Sequence, residues 1–436
     1  MVKKFMFYIA FVASLGGFLF GFDTAVISGA EQAIQHVYNL SNFSHGFTIA
    51  IALFGTILGA LISAAPAEKY GRLKSLKIVA WLYFFSAIGT ALIVNWYSFL
   101  FFRFLGGIAV GASSVVGPMY IAEISPSNWR GRFVAFFQFN IVLGIVIAYV
   151  SNFYISGIPN DWRWMLGALA IPAFIFGILL LTVPESPRWL VKQHQESKAS
   201  QILAMVSKAD IQKELEEIKE SLVSIGGKSE ALFQRKYRKP ILFAFLVATF
   251  NQLSGINAIL YYAPRIFELS GVFHNQAMLQ SIIIGLTNLI FTMIGMILID
   301  KVGRKRLLYV GSIGMTISLL LVAYSFGTSR LSPIFMLICL MGFIAFFAIS
   351  LGAVIWVLIS EVFPTSVREK GQVLGSMTHW GWNAILSWMF PIFLESGGSF
   401  IFGFFAIVML LSFVFAWKLP ETKGKSLEQI QKELIN

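Results

Sequence analysis

Two ionisable residues lie deep inside long apolar runs of this sequence, Asp23 and Arg103. A charge within a bilayer span is costly and points to function unless a partner compensates it. Asp23 lies seven residues before the far end of its run, and Arg103 lies six residues after the start of its own. At about 1.5 Å per residue both sit ~10 Å below the same surface, so they can meet. A carboxylate beside an arginine stays ionised; parted from it in a dry site, it takes up a proton. The pair has the chemistry of a proton-coupling switch, the alternative being a static ion pair that fixes helix packing.

A second group of polar residues in apolar surroundings consists of side-chain amides: Gln138, Asn140, Asn251, Gln252, Asn257, Asn288 and Asn383, joined by His379. The stretch NQLSGIN (251–257) holds three of them within seven residues. Tyr261, Tyr262, Trp356, Trp380 and Trp382 add aromatic faces. A sugar presents hydroxyls that donate and accept, plus an apolar C–H face; amides match the first and rings the second. A single amide of this kind is ordinarily glue between helices, but the cluster points to a polyol site.

The elements that must position these residues are transmembrane helices. Of the 436 residues 57% are hydrophobic and 12% charged, against about 25% charged in soluble domains. Apolar stretches of about 20 residues, each long enough to cross a bilayer, recur along the whole chain. The hydropathy predicts twelve spans: 5–30, 46–66, 75–95, 97–121, 133–156, 163–183, 240–267, 278–299, 306–326, 332–360, 371–394 and 398–418. With these spans, 29 of the 33 basic residues fall on the side of the termini, which the positive-inside rule makes cytoplasmic. The net charge of +12 is thus a topology signal, and no nucleic-acid partner is expected. The initial apolar run contains Asp23 and continues past 20 residues, so it reads as the first span and not as a signal peptide. The one cysteine, Cys339, allows no intrachain disulfide and reads as a small buried hydrophobe.

The only long polar segment is 184–239, where Ile211, Leu215, Ile218 and Leu222 recur at helical spacing and predict an amphipathic helix. It divides the chain into a six-helix bundle at 1–183, a cytoplasmic linker at 184–239, a second bundle at 240–418 and a tail at 419–436. The halves repeat. Glu123 and Arg130 close EISPSNWR, Glu361 and Arg368 close EVFPTSVR, and both offsets are 238. Gly71-Arg72 and Gly303-Arg304 are offset by 232, and Pro184-Glu185-Ser186 and Pro420-Glu421-Thr422 by 236. Near-constant offsets indicate duplication of a six-helix unit, as in many secondary transporters. Gly17 and Gly21 on the first span, and Gly107 and Gly111 on the fourth, form small-residue faces that predict close placement of these two helices.

Seven segments then resemble the sugar-porter branch of the major facilitator superfamily, in order and over essentially the whole chain: GFDTAVISGA (21–30), PMYIAEISPSNWRG (118–131), PESPRWL (184–190), QLSGINAILYYAP (252–264), DKVGRKR (300–306), WVLISEVFP (356–364) and PETKG (420–424). Phe22-Asp23-Thr24 is similar to the proton-symporting bacterial members. The resemblance implies an all-α membrane fold of two pseudo-symmetric six-helix bundles that rock around a central site. It implies that Asp23 and Arg103 couple protons. It also implies sugar contacts at Gln138, Gln252, Asn257, Asn288, Trp356 and Asn383, with Asn251, Tyr262, His379 and Trp380 beside them. Arg72, Glu123, Arg130, Asp300, Arg304, Glu361 and Arg368 match cytoplasmic charges that latch the halves. The sequence departs from the family pattern at Asn251, where a second glutamine is usual, and at His379, where Asn or Gln is usual. Glu369, Glu68 and Leu73 also depart from it.

The expectation is a proton-coupled symporter of a hexose, pentose or related polyol, acting as a monomer in a bacterial inner membrane with both termini cytoplasmic. No cofactor or metal is expected, and the absence of GxxxxGK[ST] leaves a gradient as the energy source. A uniporter of the same fold is the near alternative. A sugar receptor of transporter fold is the one from another class. No nucleophile–base grouping suggests an enzyme.

Overall fold

A computed structural model describes residues 2–206, 211–224, 230–328, 332–364, 366–419, 421–423, 425 and 429. Pro420 of the second PET landmark, and most of the tail assigned to 419–436, lie outside the described residues. Among the described residues the regular structure is entirely helical. Eleven helical stretches are long and apolar enough to cross a membrane. The remaining expected span, 371–394, is a single 28-residue helix, Arg368–Glu395. Its hydropathy is lowered by His379 and Asn383, polar residues that suggested a site.

The chain forms two compact units. Unit 1 comprises residues 1–26, 54–151 and 157–228, and unit 2 comprises residues 27–53, 152–156 and 229–436. Three long helices therefore contribute to both: α1 (Val2–Val37), α2 (Asn42–Ile62) and α6 (Ser127–Ile155).

Within unit 1, α3 (Ala64–Tyr70) leads to α4 (Arg72–Leu92) and α5 (Trp96–Ile124). Asn95 caps α5 by accepting from the backbone N–H groups of Tyr97 and Ser98. The sixth span is interrupted, as α7 (Asp161–Ala168) and α8 (Ala170–Leu179). Small residues set how closely these helices approach. A Cβ on Gly21 would stand 1.8 Å from the Ile141 carbonyl oxygen of α6, and one on Gly111 would stand 2.1 Å from the Thr56 oxygen of α2. The small-residue faces of the first and fourth spans thus pack on the fifth and second spans. The first and fourth spans are close as expected, meeting at Asp23–Arg103 and at Gly16, whose Cβ would lie 3.6 Å from Ser113, but the four glycines that suggested it do not form that contact. Gly21→Ala forces α1 off α6. The expected cost is about 1–3 kcal/mol or more, read as a fall in thermal stability of the detergent-solubilised protein. Gly131→Ala, where a Cβ meets nothing within 4 Å, is the control expected to match wild type.

The linker folds onto itself as α9 (Pro187–Lys192), α10 (Glu196–Val206) and α11 (Ile211–Ser224). Leu190, Val191, Ala199, Leu203, Leu215 and Ile218 form its small apolar core. The periodicity at 211–218 therefore packs against protein; the side chain of Leu222 lies outside the described residues.

In unit 2 the seventh span is broken twice, into α12 (Arg238–Leu253), α13 (Ile256–Tyr261) and α14 (Ala263–Glu268). The first break needs Gly255, whose φ of +88° is a left-handed conformation and whose missing Cβ would meet Phe405 at 2.5 Å. Then follow α15 (His274–Val302), α16 (Arg304–Gly327), α17 (Pro333–Ile349), α18 (Leu351–Val362), α19 (Arg368–Glu395) and α20 (Gly398–Lys418). A break at Ser350 divides the tenth span into α17 and α18.

The duplication is visible in local geometry. Gly71 precedes α4 with φ 98° and ψ 158°, and Gly303 precedes α16 with φ 99° and ψ 157°. In each case a distant glutamate caps the helix that follows. Glu185 accepts from the backbone N–H groups of Arg72 and Leu73, and Glu421 accepts from those of Arg304 and Lys305. A carboxylate on the free N–H groups of a helix start is favourable both as a hydrogen bond and against the helix dipole.

Candidate functional site

In unit 1, Arg103 on α5 donates from Nη1 to Asp23 Oδ1 on α1 at 2.9 Å. Both side chains are 5% exposed. Glycines admit the pair: a Cβ on Gly106 would strike Ser86 Oγ at 2.5 Å and reach within 4.0 Å of Asp23 Oδ1. The buried Arg103 Nε meets no hydrogen-bond partner among the described residues. Asp23 is thus held by one arginine and loses its compensation if α1 and α5 shift. Gln138 is half-buried on α6 in unit 1. Asn140, two residues on, donates to Ser14 Oγ at 3.2 Å and to the Phe136 carbonyl oxygen. Asn140 therefore ties α6 to α1.

In unit 2 the break after α12 gathers four polar residues. Asn251 donates from Nδ2 to the Leu351 carbonyl oxygen at 3.1 Å, and its Oδ1 accepts from Gln252 Nε2 at 2.8 Å. Asn257 donates to Gln252 Oε1 at 2.8 Å. The Gln252 amide nitrogen also lies 3.1 Å from both ring nitrogens of His379. The His379 ring is flanked by Trp356, with centroids 4.9 Å apart, and by Trp380, edge-on at 5.0 Å. Asn251, Gln252, Asn257, His379, Trp356 and Trp380 are therefore one contiguous group with donors, acceptors and aromatic faces. Trp356 is 42% exposed while Gln252 is 1% exposed, so the tryptophan is the accessible edge of the group.

The other expected residues of unit 2 have different surroundings. Asn288 accepts from the Thr292 hydroxyl at 3.3 Å, and Asn383 from the Ser387 hydroxyl at 3.1 Å. The Asn383 Nδ2 is buried and meets no partner among the described residues. Tyr262 is fully buried and its hydroxyl donates to the Ser387 carbonyl oxygen at 3.0 Å.

The charges expected at the cytoplasmic ends of the helices pair inside each unit. In unit 1, Arg72 Nη2 meets Glu123 Oε1 at 2.8 Å, Ser186 Oγ donates to Glu123 Oε2, and Arg130 Nε donates to the Ala122 carbonyl oxygen. In unit 2, Arg304 meets Glu361 at 2.9 Å and Asp300 at 3.2 Å, and Arg368 Nε donates to the Phe363 carbonyl oxygen. Of these contacts the Arg72–Glu123 and Arg304–Glu361 pairs correspond through the repeat.

One group was missed from the sequence. The expected first span ends at residue 30, which leaves Asp23 in the first span and Arg103 in the fourth as the only charges well inside the expected spans. The helix in fact continues to Val37, and it carries Glu31 with no exposed surface. Glu31 Oε2 lies 2.6 Å from Nε2 of the equally buried His45, and Oε1 lies 2.9 Å from Arg265 Nε. A glutamate and a histidine 14 residues apart were the available signal; the arginine partner, far away in sequence, was not legible.

Residues 9–434 match the family described as "Sugar (and other) transporter". The chain belongs to the sugar transporter family. This transporter is 37% identical to the arabinose-proton symporter of Bacillus subtilis (strain 168) over 98% of its own length and 95% of the relative's. It is 36% identical to the D-xylose-proton symporter of Escherichia coli (strain K12), covering 98% and 96% of the two chains. Among solved structures, the inward-open xylose transporter XylE from E. coli matches with a TM-score of 0.88 at 36% identity, covering 98% of this chain and all of that one. The transporter therefore has the twelve-helix major facilitator fold and is a multi-pass membrane protein.

Proposed function

We propose that this transporter imports a monosaccharide together with a proton, with both termini on the cytoplasmic side of a bacterial inner membrane and the monomer as the working unit. The observation that carries the coupling is the Asp23–Arg103 pair: a carboxylate of 5% exposure held by one arginine. While the pair is closed, Asp23 faces the Arg103 guanidinium. When α1 and α5 shift, the bare carboxylate in a dry site takes a proton, and the proton is released when the arginine returns. Names of relatives that pair a pentose with a proton support the same reading.

Gln252, Asn257, Trp356, His379 and Trp380 form the sugar site in unit 2. Asn251 acts as a brace, since both ends of its amide are already engaged. Asn383 offers its unpaired donor, and Asn288, Tyr262 and Gln138 belong to the set by their place in the family pattern. Arg72, Glu123, Arg130, Asp300, Arg304, Glu361 and Arg368 control the cytoplasmic ends of the helices.

Calorimetry of the purified transporter with xylose, arabinose, glucose, galactose, fructose and inositol tests the substrate class, followed by exchange of the labelled sugar in liposomes. Binding and exchange of at least one monosaccharide is the expected outcome. Binding without exchange would instead indicate a receptor.

A further inference from the structure

The Glu31–His45–Arg265 group lies wholly in unit 2 and takes no part in the coupling assigned to Asp23. Glu31 is fully buried on α1, His45 is fully buried on α2, and Arg265 comes from α14 with its side chain 19% exposed. The surrounding polar groups are all engaged. Gln35 on α1 accepts from Arg265 and donates to Asn42 at the start of α2. Gln32 donates to Glu268 on α14 at 2.7 Å, and Glu268 meets His274 of α15 at 2.5 Å. Asn42 donates to Glu395 at the end of α19 at 2.5 Å. The Tyr262 ring stands edge-on to the His45 ring at 6.1 Å. Gly29, next to this turn of α1, abuts the Asn152 side chain of α6. His36, in the last turn of α1, is exposed.

Glu31 faces the Arg265 guanidinium through one oxygen, and with His45 neutral the imidazole donates from Nε2 to the other, while Glu268, which also interacts with Arg265, is paired with His274. The other ring nitrogen, Nδ1, is buried and meets no hydrogen-bond partner among the described residues. A bare lone pair there is tolerable. A proton there would leave an unsatisfied N–H and a second cation around a single buried carboxylate.

We propose that His45 is a second proton-binding site of this transporter, and that protonation at Nδ1 parts α14 from the ends of α1 and α2. With the termini cytoplasmic, these ends face the outside. An acidic exterior then favours their opening before Asp23 is reached, so the proton gradient acts on access as well as on coupling. His274 faces solvent beside Glu268 and can hold a proton without disturbing the closed arrangement.

The test needs neither sugar nor transport, so it holds or fails separately from the coupling reading. Nitroxide labels are placed at two exposed positions, Val37 and Phe273 (51% and 82% exposed), with Cys339 replaced by Ala. The label-to-label distance is measured by double electron–electron resonance from pH 8 to pH 5. The expected result is a shift to longer distances as pH falls, with the open-to-closed ratio rising by up to about tenfold per pH unit for a single proton. His45→Gln abolishes the transition, while His274→Gln and Asp23→Asn retain it. Glu31→Gln strands Arg265 and gives the longer distance at every pH, which keeps the test decisive if His45→Gln folds poorly. A wild-type distance constant across this range would overturn the proposal. So would a transition that survives His45→Gln, or one that His274→Gln removes.

Discussion

Replacing Asp23 with Asn abolishes sugar-driven proton uptake in liposomes and with it all concentrative transport. Asparagine keeps the size of the carboxylate and can still meet Arg103, so the fold persists, but it neither ionises nor binds a proton in this range. For one proton per sugar, a gradient of two pH units sustains about 100-fold accumulation, each tenfold step being worth ~1.4 kcal/mol. In Asp23→Asn the accumulation ratio falls to about one. A pH-sensitive dye outside the vesicles reads the loss directly. A mutant that still acidifies the lumen when sugar is added would place the coupling proton elsewhere.

Replacing Gln252 with Ala weakens sugar binding by about 10- to 100-fold, measured by calorimetry. Gln252 is the hub of the polar group: its Oε1 accepts from Asn257, and its Nε2 donates to Asn251 and lies against the His379 ring. Truncation removes its own contact with a sugar hydroxyl and also frees Asn251 and Asn257 to turn. Lost buried hydrogen bonds of this kind cost about 1–3 kcal/mol. Replacing Asn251 with Gln restores the longer arm usual in the family and is expected to change affinity far less. Equal affinity in wild type and Gln252→Ala would move the sugar site away from α12.

Much of this was legible in the sequence because bilayer physics leaves a strong periodic record. The spans and the repeat of EISPSNWR in EVFPTSVR follow from composition and spacing. The spans agree with the helices to within a few residues, apart from the far end of the first and the start of the fifth. The Asp23–Arg103 contact was inferable because two charges at matching depth have few other partners. The cluster at 251–257 was readable because NQLSGIN holds three amides within seven residues of an apolar run.

What escaped notice had partners remote in sequence. Glu31 looked like the polar end of a span, yet α1 continues to Val37 because its acidic and amide side chains are satisfied by His45, Arg265 and Glu268. The glycine faces of α1 and α5 were recognised as contact surfaces, but which helix fills each groove is decided by tertiary packing. The break at Ser350 lies in an apolar run with only Gly352 nearby, a signal too weak to announce it. Asn251 gave a donor and an acceptor, whereas only coordinates show that both are already used.

The account turns on whether proton movement and sugar movement are one event. Wild-type transporter in liposomes, given equal labelled sugar on both sides and an acidic exterior, is the direct test. Sugar rising inside above its outside concentration, and falling back when a protonophore collapses the gradient, is the expected result. Sugar that stays at equal concentration on both sides while exchanging freely would show an uncoupled carrier and contradict the role given to Asp23.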